Sequence, residues 1–390
     1  MRFPEFTGEW EKSKLGEIAK IIGGGTPDTI IDEYWNGDIQ WFTPSEIKSN
    51  YVAKSDRKIT KLGLSKSSAK LLPIGTILLT TRATIGEVAI ATEECTTNQG
   101  FQSLIVNKNV NNIFISNWIK KNKKELIKRA NGSTFAEISK SEIESIPILL
   151  PDTLEQDKIA AFLSLIDQRI ETQNKIIEKY ESLIKGLNNY LHKIYGNDIE
   201  ISLAELGKSY NGLSGKSGDD FGSGKPYITY VNVYQNNIID ESMIGYVKIS
   251  NDEKQNTIRY GDALFTMSSE TPEEVGINSV YLGENQGLYL NSFCFGYRLY
   301  DFNILNPKYM PYCFSSYKFR KFIYPLAQGS TRFNLHVHHF MCKKFKIPTV
   351  QNQFRIGKLL DSISEKLQTE KHIHSSLKKQ KSYLLKKIFI

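Results

Sequence analysis

Few residue groups in this chain have the types and spacing that chemistry needs. Asp28 with Asp56-Arg57-Lys58 offers two acids and a lysine, the loose outline of a metal-dependent nuclease. So loose a pattern arises easily, and Asp252-Glu253-Lys254 supplies part of it again. His336, His338 and His339 lie close to Cys342, a donor set that suits a transition metal. The set occurs in only one half of the chain, and a solvated or DNA-facing loop explains it more simply. No Ser/His/Asp or Cys/His arrangement can be argued.

Two phosphate-type motifs are incomplete. Gly215-Lys216-Ser217 has the end of a phosphate-binding loop, but Tyr210 stands where its first glycine is required. Gly23-Gly24-Gly25-Thr26-Pro27 has the glycines without the lysine, which fits a turn. Asn306-Pro307-Lys308-Tyr309 approximates the Asn-Pro-Pro-aromatic run that holds an amino group for methyl transfer. Lys308 breaks it, and no glycine-rich cofactor loop precedes it.

The elements that would position such residues come in two copies. Gly132-Ser133-Thr134 recurs as Gly329-Ser330-Thr331, 197 residues later. The same offset carries Pro151 to Pro348, Gln156 to Gln353, Ile159 to Ile356 and Leu163 to Leu360. Upstream the offset drifts, as loop insertions would make it. Leu15-Gly16-Glu17-Ile18 faces Leu203-Ala204-Glu205-Leu206, and Asn98-Gln99-Gly100-Phe101 faces Asn291-Ser292-Phe293. Two repeats are too few for a solenoid but suffice for two whole domains.

Each copy ends in a segment with helical periodicity. After Pro151 the apolar seam runs Ile159, Leu163, Ile166, Ile170, Gln173, Ile177, Tyr180, Ile184, Leu187, Leu191 and Ile194. The spacing alternates four and three, a coiled-coil signature, and Gln173 is its polar member. After Pro348 the seam runs Ile356, Leu360, Ile363, Leu367, Glu370, His374, Leu377, Lys381, Leu384 and Ile388. Gln173 and Glu370 are equivalent mid-seam polar positions, able to fix register. Proline at each start suits a first helical turn. A helix of about 40 residues spans ~60 Å. With one globular domain between them, the simplest arrangement is an antiparallel pair with a domain at each end and a pseudo-two-fold axis.

The segments before each helix alternate strand-like runs with turns. In the first copy these are Ile77-Leu78-Leu79-Thr80-Thr81, Val88-Ala89-Ile90-Ala91 and Phe101 to Val106, then helical spacing over residues 114–129. In the second they are residues 227–233, 263–267, 280–282 and 293–299, then helical spacing over 309–326. The fold class is α+β: two globular domains of mixed helix and sheet, each followed by a long helix. The boundaries are 1–150, 151–195, 196–347 and 348–390.

Composition bounds the function. The chain has 390 residues and a net charge of +8. Residues 341–390 hold twelve lysines and arginines against Asp361, Glu365 and Glu370, so the rest is close to neutral. A basic stripe on one helix suits a polyanion or an acidic protein, with a solvated helix face as the plainer reading. Four scattered cysteines read as reduced thiols in a cytosol. No run of eighteen apolar residues suggests a membrane helix, and the opening Met1-Arg2-Phe3-Pro4-Glu5 does not read as a secretory signal.

Several stretches together resemble the specificity subunit of type I restriction–modification systems. They are Gly23-Gly24-Gly25-Thr26-Pro27, Trp35-Asn36-Gly37-Asp38-Ile39-Gln40-Trp41, residues 79–86 (Leu79-Thr80-Thr81-Arg82-Ala83-Thr84-Ile85-Gly86) and Thr97-Asn98-Gln99-Gly100. The second half adds residues 268–276, from Ser268-Ser269 to Val275-Gly276, and Gly329-Ser330-Thr331-Arg332-Phe333-Asn334. Gln40 stands where a proline is common. The resemblance covers essentially the whole chain and includes its two-copy plan.

That resemblance implies two target-recognition domains on double-stranded DNA, a bipartite target, and a spacer set by helix length. It implies a non-catalytic subunit in a bacterial or archaeal cytoplasm. Methyltransferase and restriction subunits would dock on it, holding the S-adenosylmethionine, ATP and Mg that this chain lacks. The seam residues Ile159, Leu163, Ile166, Ile170, Gln173, Ile177, Ile356, Leu360, Ile363, Leu367, Glu370 and Leu377 would form the helix and subunit interface. Candidate DNA contacts in the first domain are Thr80, Thr81, Arg82, Asn98, Gln99, Ser133 and Thr134. In the second they are Ser268, Ser269, Asn291, Ser330, Thr331, Arg332 and Asn334. Their side chains suit base edges or phosphates, with turn-stabilising roles as the alternative. An enzyme acting alone, or a scaffold without DNA affinity, are the competing classes.

Overall fold

The computed structural model describes residues 2–82, 84–131, 136–250 and 252–389. They divide into two units, residues 1–174 with 372–390, and residues 175–371. No helix among the described residues is long and apolar enough to cross a membrane.

In the first unit a five-stranded sheet has the order Ala19–Gly23, Gln102–Val106, Ile77–Leu79, Val88–Ala91, Tyr51–Val52. Ile77–Leu79 lies mid-sheet, and its side chains alternate between faces. Ile77 and Leu79 enter one core with Phe114 and Ile119; Leu78 enters another with Phe42 and Phe101. Each such burial contributes about 1.5–3 kcal/mol. A three-stranded sheet sets Trp35–Phe42 between Arg57–Ile59 and Cys95–Thr97. Glu11–Lys14 pairs antiparallel with Pro147–Leu150, tying the start of the globular part to its end.

The second unit repeats this plan. Ile199–Ser202 pairs antiparallel with Lys344–Ile347. A four-stranded antiparallel sheet runs Gly207–Asn211, Cys294–Leu299, Ala263–Thr266, Asn278–Val280. Ala263 and Phe265 face one core and Leu264 the other, as in the first unit. The turn into each sheet is a four-residue helix with the same cap. The backbone N–H of Lys14 donates to Glu17 Oε2, and that of Ser202 to Glu205 Oε2, both at 2.8 Å. Two expected strands are different: of residues 280–282 only Val280 belongs to a strand, Asn278–Val280. Residues 227–233 split into the end of strand Phe221–Ile228 and helix Tyr230–Gln235, because Thr229 Oγ1 accepts from the Asn232 N–H and caps a helix there.

The long helices are Thr153–Tyr195 and Val350–Ile388. Each proline lies outside the first turn. Asp152 Oδ1 accepts from the Glu155 N–H, and Thr349 Oγ1 from the Asn352 N–H, so these residues do the capping. In the first unit Ile159 and Leu163 of the first helix share a core with Leu384, Ile388 and Phe389. Lys381 Nζ meets Asp167 Oδ1 at 2.5 Å. In the second unit Leu187, Leu191 and Tyr195 share a core with Ile356 and Leu360, and Lys371 pairs with Glu181 at 2.7 Å. The helices therefore pair antiparallel.

Of the seam positions, Ile159, Leu163, Gln173, Ile177, Ile356, Leu360, Leu367 and Leu377 are buried. Ile166, Ile170, Ile363 and Glu370 are half-buried. The seam does not continue to Ile194, which is exposed. A straight helix drifts from a 3.5-residue period. By that point the buried positions are Asn188 and His192, which bond to Tyr312 O and to the Tyr309 hydroxyl.

Candidate nucleic-acid interface

In each unit three extended segments meet at the edge of a sheet and lay four polar side chains in a row. In the first unit Thr80 bridges Phe101, and the Thr81 N–H donates to Gly100 O at 2.8 Å. Continuing this antiparallel register sets Arg82 beside Gln99. On its other side Arg82 bridges Glu137, which in turn bridges Asn131. Cross-strand neighbours share a face. The row is thus Gln99, Arg82, Glu137, Asn131. Arg82 Nε lies 2.8 Å from Glu137 Oε1, and both side chains are partly exposed. A pair this open to solvent is worth about 0–1 kcal/mol to the fold.

The second unit builds the same row on the same bonds. Thr266 pairs with Cys294, and the Met267 N–H donates to Phe293 O at 2.9 Å, setting Ser268 beside Ser292. Ser268 pairs with Asn334, and Asn334 with Gln328. The row is Ser292, Ser268, Asn334, Gln328. Ala327–Gln328 and Phe333–Leu335 form a hairpin whose tip carries Ser330, Thr331 and Arg332, all exposed. Gly329, at φ +140°, opens that tip; a Cβ there would stand 2.0 Å from the Arg332 carbonyl.

The floor beneath each row is also duplicated. Asn98 Oδ1 accepts from the Gly100 N–H at 2.8 Å, and Asn291 Oδ1 from the Phe293 N–H at 2.9 Å. These turns fix the first residue of each row. Gly24 and Gly212 cross them so closely that a Cβ would lie 1.9 Å from Asn98 O and 2.1 Å from Asn291 O. In the first unit the Thr26 hydroxyl bonds to Gln99 Oε1. In the second the Tyr230 hydroxyl donates to Ser268 O at 3.3 Å, and its pKa is raised, first by burial and then by Cys294 and Glu274.

The expected contact residues therefore divide. Arg82, Gln99, Ser330, Thr331, Arg332 and Asn334 are exposed on or beside the rows. Asn98 and Asn291 are half-buried and hold turns. Thr80 and Thr81 are both buried, with hydroxyls donating to Thr84 O and Gly100 O. Ser268 and Ser269 are buried too; the Ser269 hydroxyl donates to Thr271 O. The hydroxyls of Thr80, Thr81 and Ser269 are thus spent on backbone carbonyls. Ser133 and Thr134 lie outside the described residues. Sequence reasoning missed Glu137, Asn131, Gln328 and Ser292. Asn131 and Gln328, like Glu137 and Asn334, stand at the 197 offset flanking the Gly-Ser-Thr repeat, which was the available signal.

The catalytic candidates are occupied otherwise. The Arg57 guanidinium stacks 3.6 Å from the Trp35 ring centroid, and Asp28 Oδ1 accepts from the Ile30 N–H. Lys216 is paired with Glu253 at 2.6 Å. Asn306 Oδ1 accepts from the Lys308 N–H, closing a turn. Cys342 Sγ lies 3.8 Å from His338 Nε2, but among the described residues no three His, Cys, Asp or Glu side chains are grouped to hold a metal.

A duplicated α+β scaffold that presents two differing polar rows on identical backbone frames is built for recognition. The comparisons agree with this class. The model of the type I restriction modification DNA specificity domain matches residues 7–182 and again 199–379, and the chain belongs to that family. It is 41% identical over 179 residues to the type I restriction enzyme MjaIX specificity subunit of Methanocaldococcus jannaschii, covering 44% of this chain and 41% of that one. It is 30% identical over 195 residues to the EcoR124I/EcoR124II specificity subunit of Escherichia coli, covering 45% and 48%. The matched stretch is thus under half the length of each of these relatives. The fold is shared with the type I restriction–modification S subunit of M. genitalium (TM-score 0.53, 18% identity, 100% and 99% covered). It is also shared with a chain solved in work on complex assembly and conformational transition of the type I R-M system (TM-score 0.59, 16% identity, 99% and 98% covered).

Proposed function

We propose that this chain is the non-catalytic subunit that selects the DNA target of a type I restriction–modification complex. Each unit reads one half of a bipartite site through its polar row, joined in the second unit by the adjoining hairpin. The paired helices set the spacer between the halves and dock the methyltransferase and restriction subunits. Those partners supply the S-adenosylmethionine, ATP and Mg chemistry, in a bacterial or archaeal cytoplasm. The observation that carries the reading is the duplication itself: one set of backbone bonds, used twice, presents different side chains each time. A protein that needs two different words and one fixed spacing is built in this way.

Mapping methylated adenines in DNA from a host that expresses this chain with its methyltransferase partner tests the reading. A single split motif, absent when the chain is omitted, is expected. Methylation without sequence preference, or cleavage or methylation by the purified chain alone, overturns it.

A further inference from the structure

We propose that base discrimination in the first half-site is made by Glu137 acting with Arg82, and in the second by Asn334 at the equivalent position; this rests on the target-reading function above. Glu137 and Asn334 occupy the same place in the two rows. Each pairs across the strand with Asn131 or Gln328 on one side and with Arg82 or Ser268 on the other.

The argument turns on what duplex DNA offers a carboxylate. Its backbone is anionic and its groove edges are mostly acceptors. The groups from which a carboxylate can accept are base amino groups: cytosine N4 and adenine N6 in the major groove, and guanine N2 in the minor. Arg82 alone would be satisfied by any phosphate or by a guanine edge, so it supplies affinity with little selection. With Glu137 Oε1 2.8 Å from its Nε, the pair is neutral as a unit. Sequence-blind contact with phosphates then gains little, because it places the carboxylate against the same negative charge. Only a base pair that presents an amino group to Glu137 satisfies both side chains. Glu137 therefore rejects wrong DNA by repulsion, which is how specificity is often secured.

In the second row the middle pair is Ser268 and Asn334, without charge. An exposed amide carries donor and acceptor together and suits the adenine N6 and N7 edge. Selection there comes from matching hydrogen bonds. The two halves of the target are thus read by different physics on one frame.

The test is selection from a randomised duplex pool by the full chain assembled with its methyltransferase partner, followed by sequencing. Glu137→Gln keeps the shape and removes the charge. It is expected to flatten preference at one base pair of one half-site, on the order of tenfold. Binding to unrelated duplex should strengthen roughly fivefold at physiological salt, with a salt slope steeper by about 0.9 as Arg82 gains a phosphate. Asn334→Ala is expected to flatten the other half-site alone, an independent check in the other unit. If Glu137→Gln leaves both half-sites as selective as in the unaltered chain, or weakens both equally, the inference is overturned while the function stands. If the unaltered complex selects no split motif, the functional reading fails first.

Discussion

Gln156 and Gln353, 197 positions apart, make the same two bonds. Each Nε2 donates to the carbonyl of the proline five residues earlier, Pro151 or Pro348, at 2.9 Å. Each Oε1 accepts from a loop backbone N–H, that of Asn111 or Asn306, also at 2.9 Å. Both side chains are buried. One amide thus fastens the start of a long helix to the globular part of its own unit.

Replacing Gln353 by leucine strands three backbone groups at once, the Asn306 N–H and the carbonyls of Pro348 and Ile304. An unsatisfied buried polar group costs about 1–3 kcal/mol. A loss of roughly 2–5 kcal/mol is therefore expected in urea unfolding of Gln353→Leu. Gln351→Ala, at an exposed position two residues earlier, should cost under about 0.5 kcal/mol. Equal effects of the two changes would refute the fastening role.

His192 ties stability to pH. Its Nδ1 lies 2.9 Å from Asn188 O, a carbonyl that can only accept, so Nδ1 carries the proton and Nε2 accepts from the Tyr309 hydroxyl at 2.6 Å. Burial, followed by the nearby Lys318 charge, lowers its pKa below the usual 6.5, against the raising effect of the Asn188 carbonyl. The unfolded chain therefore takes up a proton at a pH where the folded chain does not. The contribution is fully present above pH 6.5 and is lost as the pH falls from there through the lowered folded value. In His192→Gln, whose amide oxygen still accepts from Tyr309, the urea midpoint should lose this part of its pH dependence between pH 7 and 5. An identical pH profile for both proteins would contradict it.

Arg332 stands at the exposed hairpin tip of the second unit. Arg332→Ala should weaken DNA binding by the assembled complex or relax one half-site. If the contact is to phosphate, the loss is uniform across sequences and the salt slope falls by about 0.9. Unchanged affinity and unchanged preference in a binding titration would remove Arg332 from the interface.

Lengthening both long helices by seven residues, within 165–185 and at the facing turns, should change the spacer and leave both half-site words intact. Seven residues add roughly 10 Å, about three base pairs of B-DNA. Methylation mapping reads this directly. A changed word in either half-site would argue against a ruler.

Much of this was legible in the sequence, and the reasons for the rest are physical. The long helices announced themselves because a 3.5-residue period is local information, and the 197 offset joined Gln156 to Gln353 without any structure. The rows were not legible. Gln99, Arg82, Glu137 and Asn131 become neighbours only through strand pairing, which no local window records. Thr80 and Thr81 looked available because hydroxyls suit DNA, yet a hydroxyl suits a nearby carbonyl equally well, and theirs are spent on Thr84 and Gly100. Ser268 differs from Arg82 for a related reason: its small side chain is covered where Arg82, at the matching place, reaches out.

The core of the first unit includes Leu384, Ile388 and Phe389, with the Phe389 ring 5.0 Å from that of Phe114. Translation reaches those residues only after all of the second unit. At about 5–20 residues per second, the ribosome delivers them roughly 10–40 seconds after the first long helix has emerged. Until then the ring against Phe114 is that of Trp10, 6.0 Å away. A chain cut short in its second half leaves the first unit with bare apolar surface, however well its own sheets have formed. A product cut before those residues exposes the kind of apolar surface that chaperones and proteases recognise, and one that includes them covers it.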